Sequence, residues 1–397
     1  MKSDLIKIIS VLLSKIGLVS STAFLSLFVA KTLGVNENGI YAILLLSVNL
    51  IVVFASFGLP ISLNYFLVKG GDKYLICDSI YHQVIIFLPV CVVGGGVLYL
   101  WAGELLSFKL IALLVLTSLG KLLYNLFQGA YYGKGMFKRY SFISFGHSFS
   151  LVSFTFLYSL FFDVSVFGFF SIALLSYFLF NFILYLNAGF FIRRFTGLNK
   201  ELIFFGFQSY INNGIAFLIY RIDLIIIAFF MSVANVGFYS LSISVVESLT
   251  ILTTSIVAVF FNRFVAGGDE RSLLKVLILS MLSAFFILLF FEVLGVDLLL
   301  AYLGDEYSAI SGPLSLMIYS LLILSITKVL AMYFVGKNMQ ILNTYSAVIM
   351  LIVGSIVSLV LVPSLGLMGA AIANLLANIS NLVIKIIQYL RYIRGAA

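Results

Sequence analysis

Long apolar runs follow one another along the whole chain, divided by short clusters of Gly, Pro, Asn and charge. A helix needs about 20 apolar residues to cross a bilayer. The punctuation marks twelve such segments, near 5–30, 39–68, 75–101, 109–131, 140–162, 164–192, 204–230, 237–265, 273–303, 313–335, 342–362 and 367–390. Several exceed a minimal span, which permits tilt without fixing it. The first stretch, MKSDLIKIISVLLSKIGLVSSTAFLSLFVAKTLG, is too long for a signal-peptide core and lacks a clear small-residue cleavage site. It predicts a retained first helix. The fold class expected is all-α integral membrane, with about twelve transmembrane helices. The connections are short, no nucleotide-binding domain fits between the segments, and there is no P-loop.

Composition supports this. Of 397 residues, 63% are hydrophobic and 10% are charged, against about 25% charged in a soluble domain. So much apolar surface needs lipid as its solvent. A net charge of +8 would point to nucleic acid in a soluble protein, but loop charge explains it and no nucleic-acid partner is expected. With the N-terminus inside, the inner side collects Lys2, Lys7, Lys69, Lys73, Lys134, Lys138, Arg139, Arg193, Arg194, Lys200, Arg263, Arg271, Lys275, Lys337, Arg391 and Arg394, while the outer loops hold only Lys31 and Lys109. A wrong helix count would scramble this split, so both termini are expected in the cytoplasm. The two cysteines, Cys77 and Cys91, form no zinc or redox motif, and no metal site or cofactor is expected.

The chain also repeats. A shift of 198 lays VAKTLGVNENGIYAILLLSV on IAFFMSVANVGFYSLSISVV, so Gly39 and Tyr41 meet Gly237 and Tyr239. A shift of 203 lays YGKGMF at 132–137 on VGKNMQ at 335–340. Together these put segments 1–6 on segments 7–12 in order. Because six is even, the two lobes, 1–195 and 196–397, would share one orientation. That is the parallel-repeat plan of alternating-access transporters. Chance similarity between apolar helices is the bland alternative.

FVAKTLGVNENGIYAILLLSV, LFQGAYYGKGMFKRYSF at 126–142, YRIDLIIIAFFMSVANVGFYSLSISVVE at 220–247 and LVPSLGLMGAAIANLLANISN at 361–381 resemble polysaccharide-transporter proteins. These are the Wzx-type flippases of O-antigen and capsule repeats, in the superfamily that includes MATE exporters and the lipid II flippase. The resemblance covers the whole chain in order, with no single diagnostic motif. It implies a protein of the bacterial cytoplasmic (inner) membrane that moves an undecaprenyl-pyrophosphate-linked oligosaccharide from the cytoplasmic to the periplasmic leaflet. It further implies membrane lipids as surroundings, and the polymerase and chain-length regulator of the same pathway as candidate partners.

Seven charges fall well inside the segments: Lys15, Lys121, Arg221, Asp223, Glu247, Glu292 and Lys328. Facing lipid, they would together cost on the order of 20 kcal/mol, so each must face a wet cavity or a partner. A substrate path and structural ion pairs between helices both satisfy that demand. The first half buries Lys15 and Lys121 without an acid. Those lysines need an anionic ligand or acids from the opposite lobe, or must lose their proton. Lys328 matches Asn125 in the 203 register, one turn from Lys121, and such a pair suits a phosphate clamp. Arg221 can add a bidentate contact. Asn125, Gln128 and Asn213 could meet sugar hydroxyls, or glue helices together. Asp223, Glu247 and Glu292 are candidates for H⁺ or Na⁺ coupling. Arg221 and Asp223 are two apart, about 200° around a helix, so each needs its own partner.

His147, inside segment 5, reads as a hydrogen-bonded packing residue. The glycines of VVGGGVLYL at 92–100 and the proline of FGLP at 57–60 read as close packing or as hinges. Two rivals to the flippase reading remain. A MATE-like multidrug or cation exporter would need acids where the first half has lysines. A membrane-embedded O-antigen polymerase would need a large outer loop with catalytic Arg or His, and no such loop is present. No catalytic residues are assigned and enzyme activity is not expected.

Overall fold

The computed structural model describes residues 2–70, 74–102, 106–188, 200–265 and 270–396. The described residues are almost entirely helical, joined by short turns, and contain no strand. Among them ten helical stretches are long and apolar enough to cross a membrane. Gly34 (φ 73°, ψ 176°) breaks α1 (Lys2–Ser56), and Gly366 (φ 61°, ψ −136°) breaks α12 (Gln340–Ala396). Each break divides one of the ten stretches, in rough agreement with the about twelve helices expected from the pattern. Glycine suits both positions, since side chains rarely tolerate positive φ.

The other helices are α2 (Leu59–Val68), α3 (Tyr74–Ala102), α4 (Phe108–Gly133), α5 (Phe137–Phe161), α6 (Val166–Ala188), α7 (Lys200–Phe230), α8 (Val233–Val265), α9 (Glu270–Phe290), α10 (Val296–Leu303) and α11 (Ser311–Gly336). A π-turn, Phe291–Gly295, joins α9 to α10. Away from the cores the helix faces stay apolar, with Leu100, Phe108, Phe142 and Phe161 at least three-quarters exposed. Such surfaces are stable only against lipid, so this is a multi-pass membrane protein.

The chain forms two compact units. One takes residues 1–25 and 40–214, the other 26–39 and 215–397. In the first, α4 packs on α2, α3, α5 and α6, around Leu63, Leu126, Tyr131 and Leu184. In the second, α11 packs on α8, α9 and α12, around Val257, Val276, Val329 and Phe334.

The 203 register reappears in the backbone. At the end of α4, Lys134 N–H donates to the Ala130 carbonyl and Met136 N–H to that of Tyr131. At the end of α11, Lys337 N–H donates to Tyr333 and Met339 N–H to Phe334. Gly135 and Asn338 take the left-handed position in the two caps. These are the same helix stop, the second with Asn where the first has Gly.

Helix α1 ends at Phe57 and Gly58, both at positive φ, and Pro60 opens α2. A Cβ on Gly129 would lie 2.1 Å from the Pro60 carbonyl oxygen, so glycine at 129 lets α4 approach the start of α2 closely. The triple glycine behaves differently. Only Gly94 would meet a neighbour, Ile51, while Gly95 and Gly96 face open space. Close packing therefore explains Gly94 and not the other two.

Candidate functional site

The first unit contains a cavity of about 380 Å³ between α1, α4, α5 and α6. Helical periodicity builds its walls. Lys121, Asn125, Gln128 and Tyr132 recur along one face of α4, and Ser141, Ser144 and Ser148 line the facing side of α5. Ser21 and Thr22 of α1 and Tyr177 of α6 complete the ring. Lys121 Nζ donates to Oδ1 of Asn49 at 2.5 Å. Among the described residues no aspartate or glutamate lines the cavity. The described wall is one ammonium, two amides, one imidazole and a set of hydroxyl and aromatic groups, with Leu25 and Leu151. Aromatic rings and hydrogen-bonding side chains of this kind suit a sugar, and the ammonium suits an anion.

His147 also lines this cavity. Its ring lies 4.8 Å from those of both Tyr124 and Tyr177 and packs edge-on to Phe180 at 5.3 Å. Its Nε2 is buried and has no hydrogen-bond partner among the described residues. The expected hydrogen-bonded packing residue is therefore held by ring contacts instead. The serine stripe of α5 is a wall that the sequence reading missed.

The second unit holds five of the seven charges read inside the segments, and the first unit, expected to bury no acid, also buries Asp78 in α3. Arg221 donates from Nη1 to Oε1 of Glu247 at 2.8 Å and from Nη2 to Oε2 at 3.0 Å. Lys328 of α11 is a charge neighbour of the same carboxylate. Asp223, on the other side of α7, is buried. It accepts from Tyr239 Oη at 2.5 Å, from the Leu224 N–H at 2.9 Å and from Asn374 Nδ2 at 3.3 Å. Arg221 and Asp223 each find a separate partner, as their angular separation requires.

Glu292 lies exposed on the π-turn, with Tyr319 hydrogen-bonded to it. Asn213 is exposed on α7. Lys15 lies on α1, and its side chain falls outside the described residues, as do Lys73, Arg193 and Arg194. The sequence reading also missed Lys385, although it falls inside segment 367–390. Lys385 is buried in α12 and donates to Oδ1 of Asn343 at 2.5 Å, with the Phe334 ring 5.8 Å from its ammonium.

No protein-family model matches the chain, and no curated protein matches its sequence. Solved structures do match its fold. An inward-facing multidrug resistance MATE family transporter of the MOP superfamily aligns with a TM-score of 0.67 at 14% identity, over 99% of both chains. The lipid II flippase MurJ, in an inward closed conformation, aligns with a TM-score of 0.74 at 13% identity, over 97% of this chain and 87% of that one. A MOP superfamily transporter from Pyrococcus furiosus, described as having a binding pocket of reverse polarity that suggests a different function, aligns with a TM-score of 0.60 at 14% identity, over 97% and 95%. The chain has the fold shared by these membrane transporters.

Proposed function

We propose that this protein is a flippase of the Wzx type. It carries undecaprenyl-pyrophosphate-linked O-antigen or capsule repeat units from the cytoplasmic to the periplasmic leaflet of the bacterial inner membrane. The lobes 1–195 and 196–397 alternate in exposing the substrate. The observation that carries this reading is the cavity of the first unit. Among the described residues its one charged wall residue is Lys121, and the rest is hydroxyl, amide, imidazole and aromatic groups with Leu25 and Leu151. That chemistry favours an anion attached to a sugar and repels an organic cation. Asn125 and Gln128 share the Lys121 face and are assigned to sugar hydroxyls. Arg221 and Lys328 are assigned to phosphate, with Lys15 and Asn213 on the same path.

Acids in the second unit favour a cation exporter. Asp223, however, is already met by three donors and Glu247 by a guanidinium fork. Coupling to H⁺ or Na⁺ through Asp223, Glu247 or Glu292 is a separate element of the proposal, and flipping indifferent to ionophores removes it. The flippase reading itself is tested by deletion in the native strain. Lipid-linked repeat units should accumulate on the cytoplasmic side, and Lys121→Ala should fail to restore export. Accumulation of unpolymerised repeats in the periplasm would instead indicate a polymerase. Normal export with lost efflux of organic cations would indicate an exporter.

A further inference from the structure

In the second unit Arg221 and Glu247 form an ion pair, and Lys328 feels the same carboxylate electrostatically. Glu247 takes both arms of the Arg221 fork, at 2.8 and 3.0 Å, and is the charge neighbour of Lys328. Asp223 also acts on Arg221 electrostatically, but its oxygens are taken by Tyr239, Asn374 and the Leu224 N–H. Two cations therefore share one available acid.

The first unit carries a related contact at the equivalent position. Under the 198 shift, position 247 corresponds to position 49, which is Asn49. Its amide oxygen accepts from Lys121, the α4 lysine that lies one turn from the equivalent of Lys328. In both units the same position therefore accepts from a cation, Lys121 of α4 for Asn49 and Arg221 of α7 for Glu247, while Lys328 of α11 acts on Glu247 only electrostatically. A neutral amide does so in one and a carboxylate in the other. Both residues accept a hydrogen bond, and only the carboxylate cancels charge.

The ion pair is not sealed. The Glu247 side chain is 45% exposed and that of Arg221 22%. Two parallel N–H···O bonds are the geometry in which guanidinium grips either a carboxylate or a phosphate. A reachable carboxylate in that fork occupies the place of a ligand's phosphate. The geometry points to Glu247 as a displaceable counter-ion: a diphosphate-bearing ligand takes Arg221 and Lys328, and Glu247 is released. The choice of a diphosphate rests on the flippase reading. Glu247 keeps the empty site close to neutral. It also makes the ligand compete for its cations, which lowers apparent affinity by the fraction of time the site is closed. Release of cargo on the far side becomes correspondingly easier.

The test is binding of inorganic pyrophosphate and farnesyl diphosphate to the full-length protein in detergent, by titration calorimetry at low salt. Glu247→Gln should bind roughly two- to fivefold tighter than wild type, the gain expected from removing a half-exposed ion pair. Arg221→Gln should bind more weakly than wild type. A second measurement needs no variant. Modification of Glu247 by a hydrophobic carbodiimide, mapped by mass spectrometry, should increase when pyrophosphate is added. Binding that depends on Arg221 but is unchanged or weaker in Glu247→Gln overturns the counter-ion and leaves the flippase reading intact. So does carbodiimide labelling that stays constant or falls. Absence of diphosphate binding in both wild type and Glu247→Gln overturns the inference and removes Arg221 from the proposed path. Tighter binding in Glu247→Gln, with no accumulation of lipid-linked repeats in the deletion strain, supports the anion site and rejects the flippase.

Discussion

Replacement of Tyr239 by Phe is a sharp test of the buried charge on α7. Asp223 is 4% exposed and Tyr239 0%, and the phenol hydroxyl donates to the carboxylate at 2.5 Å. A hydrogen bond to a charged group contributes about 1.5–3 kcal/mol. Asp223 retains Asn374 and the Leu224 N–H as donors, so the loss stays below the 3–5 kcal/mol, roughly, of a buried charge left without its partner. The substitution removes one atom, which makes the cavity contribution small. The expected cost is therefore about 2 kcal/mol. In an Asp223→Asn background the acceptor is neutral, and the same Tyr239→Phe change should cost about 1 kcal/mol, leaving a coupling near 1 kcal/mol. The assay is reversible unfolding in mixed micelles by denaturing detergent, followed by far-UV circular dichroism, on the two single variants and the double. A Tyr239→Phe cost within about 0.5 kcal/mol of zero, the range of an ordinary surface change, would refute the reasoning. Additivity of the two substitutions would refute it equally.

Gly39→Ala should be severely destabilising, because its Cβ would fall 2.0 Å from the Val233 carbonyl oxygen, whereas Gly96→Ala meets open space and should gain up to about 1 kcal/mol of helix propensity; thermal midpoints of the two variants in detergent check the contrast. Asn343→Ala should cost about 3 kcal/mol or more, since it strips the buried Lys385 ammonium of its acceptor, and Lys385→Met should cost less because no buried charge remains; equilibrium unfolding that ranks the two the other way would contradict this. Gly366→Ala should cost on the order of 1–3 kcal/mol, because φ 61° with ψ −136° is a region open almost only to glycine; an unchanged unfolding midpoint would show that the break between the last two spans tolerates a side chain.

The helix pattern was legible because each span is long and each break carries Gly, Pro or charge. The face of α4 was legible for a related reason. Lys121, Asn125 and Gln128 are polar groups at helical spacing inside an apolar run, and the structure lines one cavity with all three. Ser141, Ser144 and Ser148 gave no such signal. Serine in apolar helices commonly bonds its own backbone, as Ser148 does to the Ser144 carbonyl at 3.2 Å, so its presence does not by itself mark a wet wall. The pairing of Arg221 with Glu247 was hidden differently. Both charges stood out, but the level at which α7 and α8 pass each other depends on tilt, which composition does not encode. Equivalence of Gly39 and Gly237 could be read from the repeat. That Gly237 would bring a Cβ within 2.9 Å of the Gly39 nitrogen could not, because long-range pairing leaves no periodic trace.

That glycine contact belongs to a larger exchange. Residues 26–39 pack in the second unit, where Tyr307 donates to the Ala30 carbonyl at 2.6 Å and Asn38 to that of Gly237 at 3.4 Å. Residues 200–214 pack in the first, where Ser62 donates to the Leu202 carbonyl at 2.6 Å and Tyr210 stacks on Phe57. Each half of the gene therefore encodes a strip of the other half's interior. The two strips are not equivalent in the 198 register, where 26–39 correspond to 224–237 and 200–214 to 2–16, so the exchange is not a reciprocal swap of one element. The halves are obligate to each other: separated between 189 and 199, neither carries all the packing that its own fold needs.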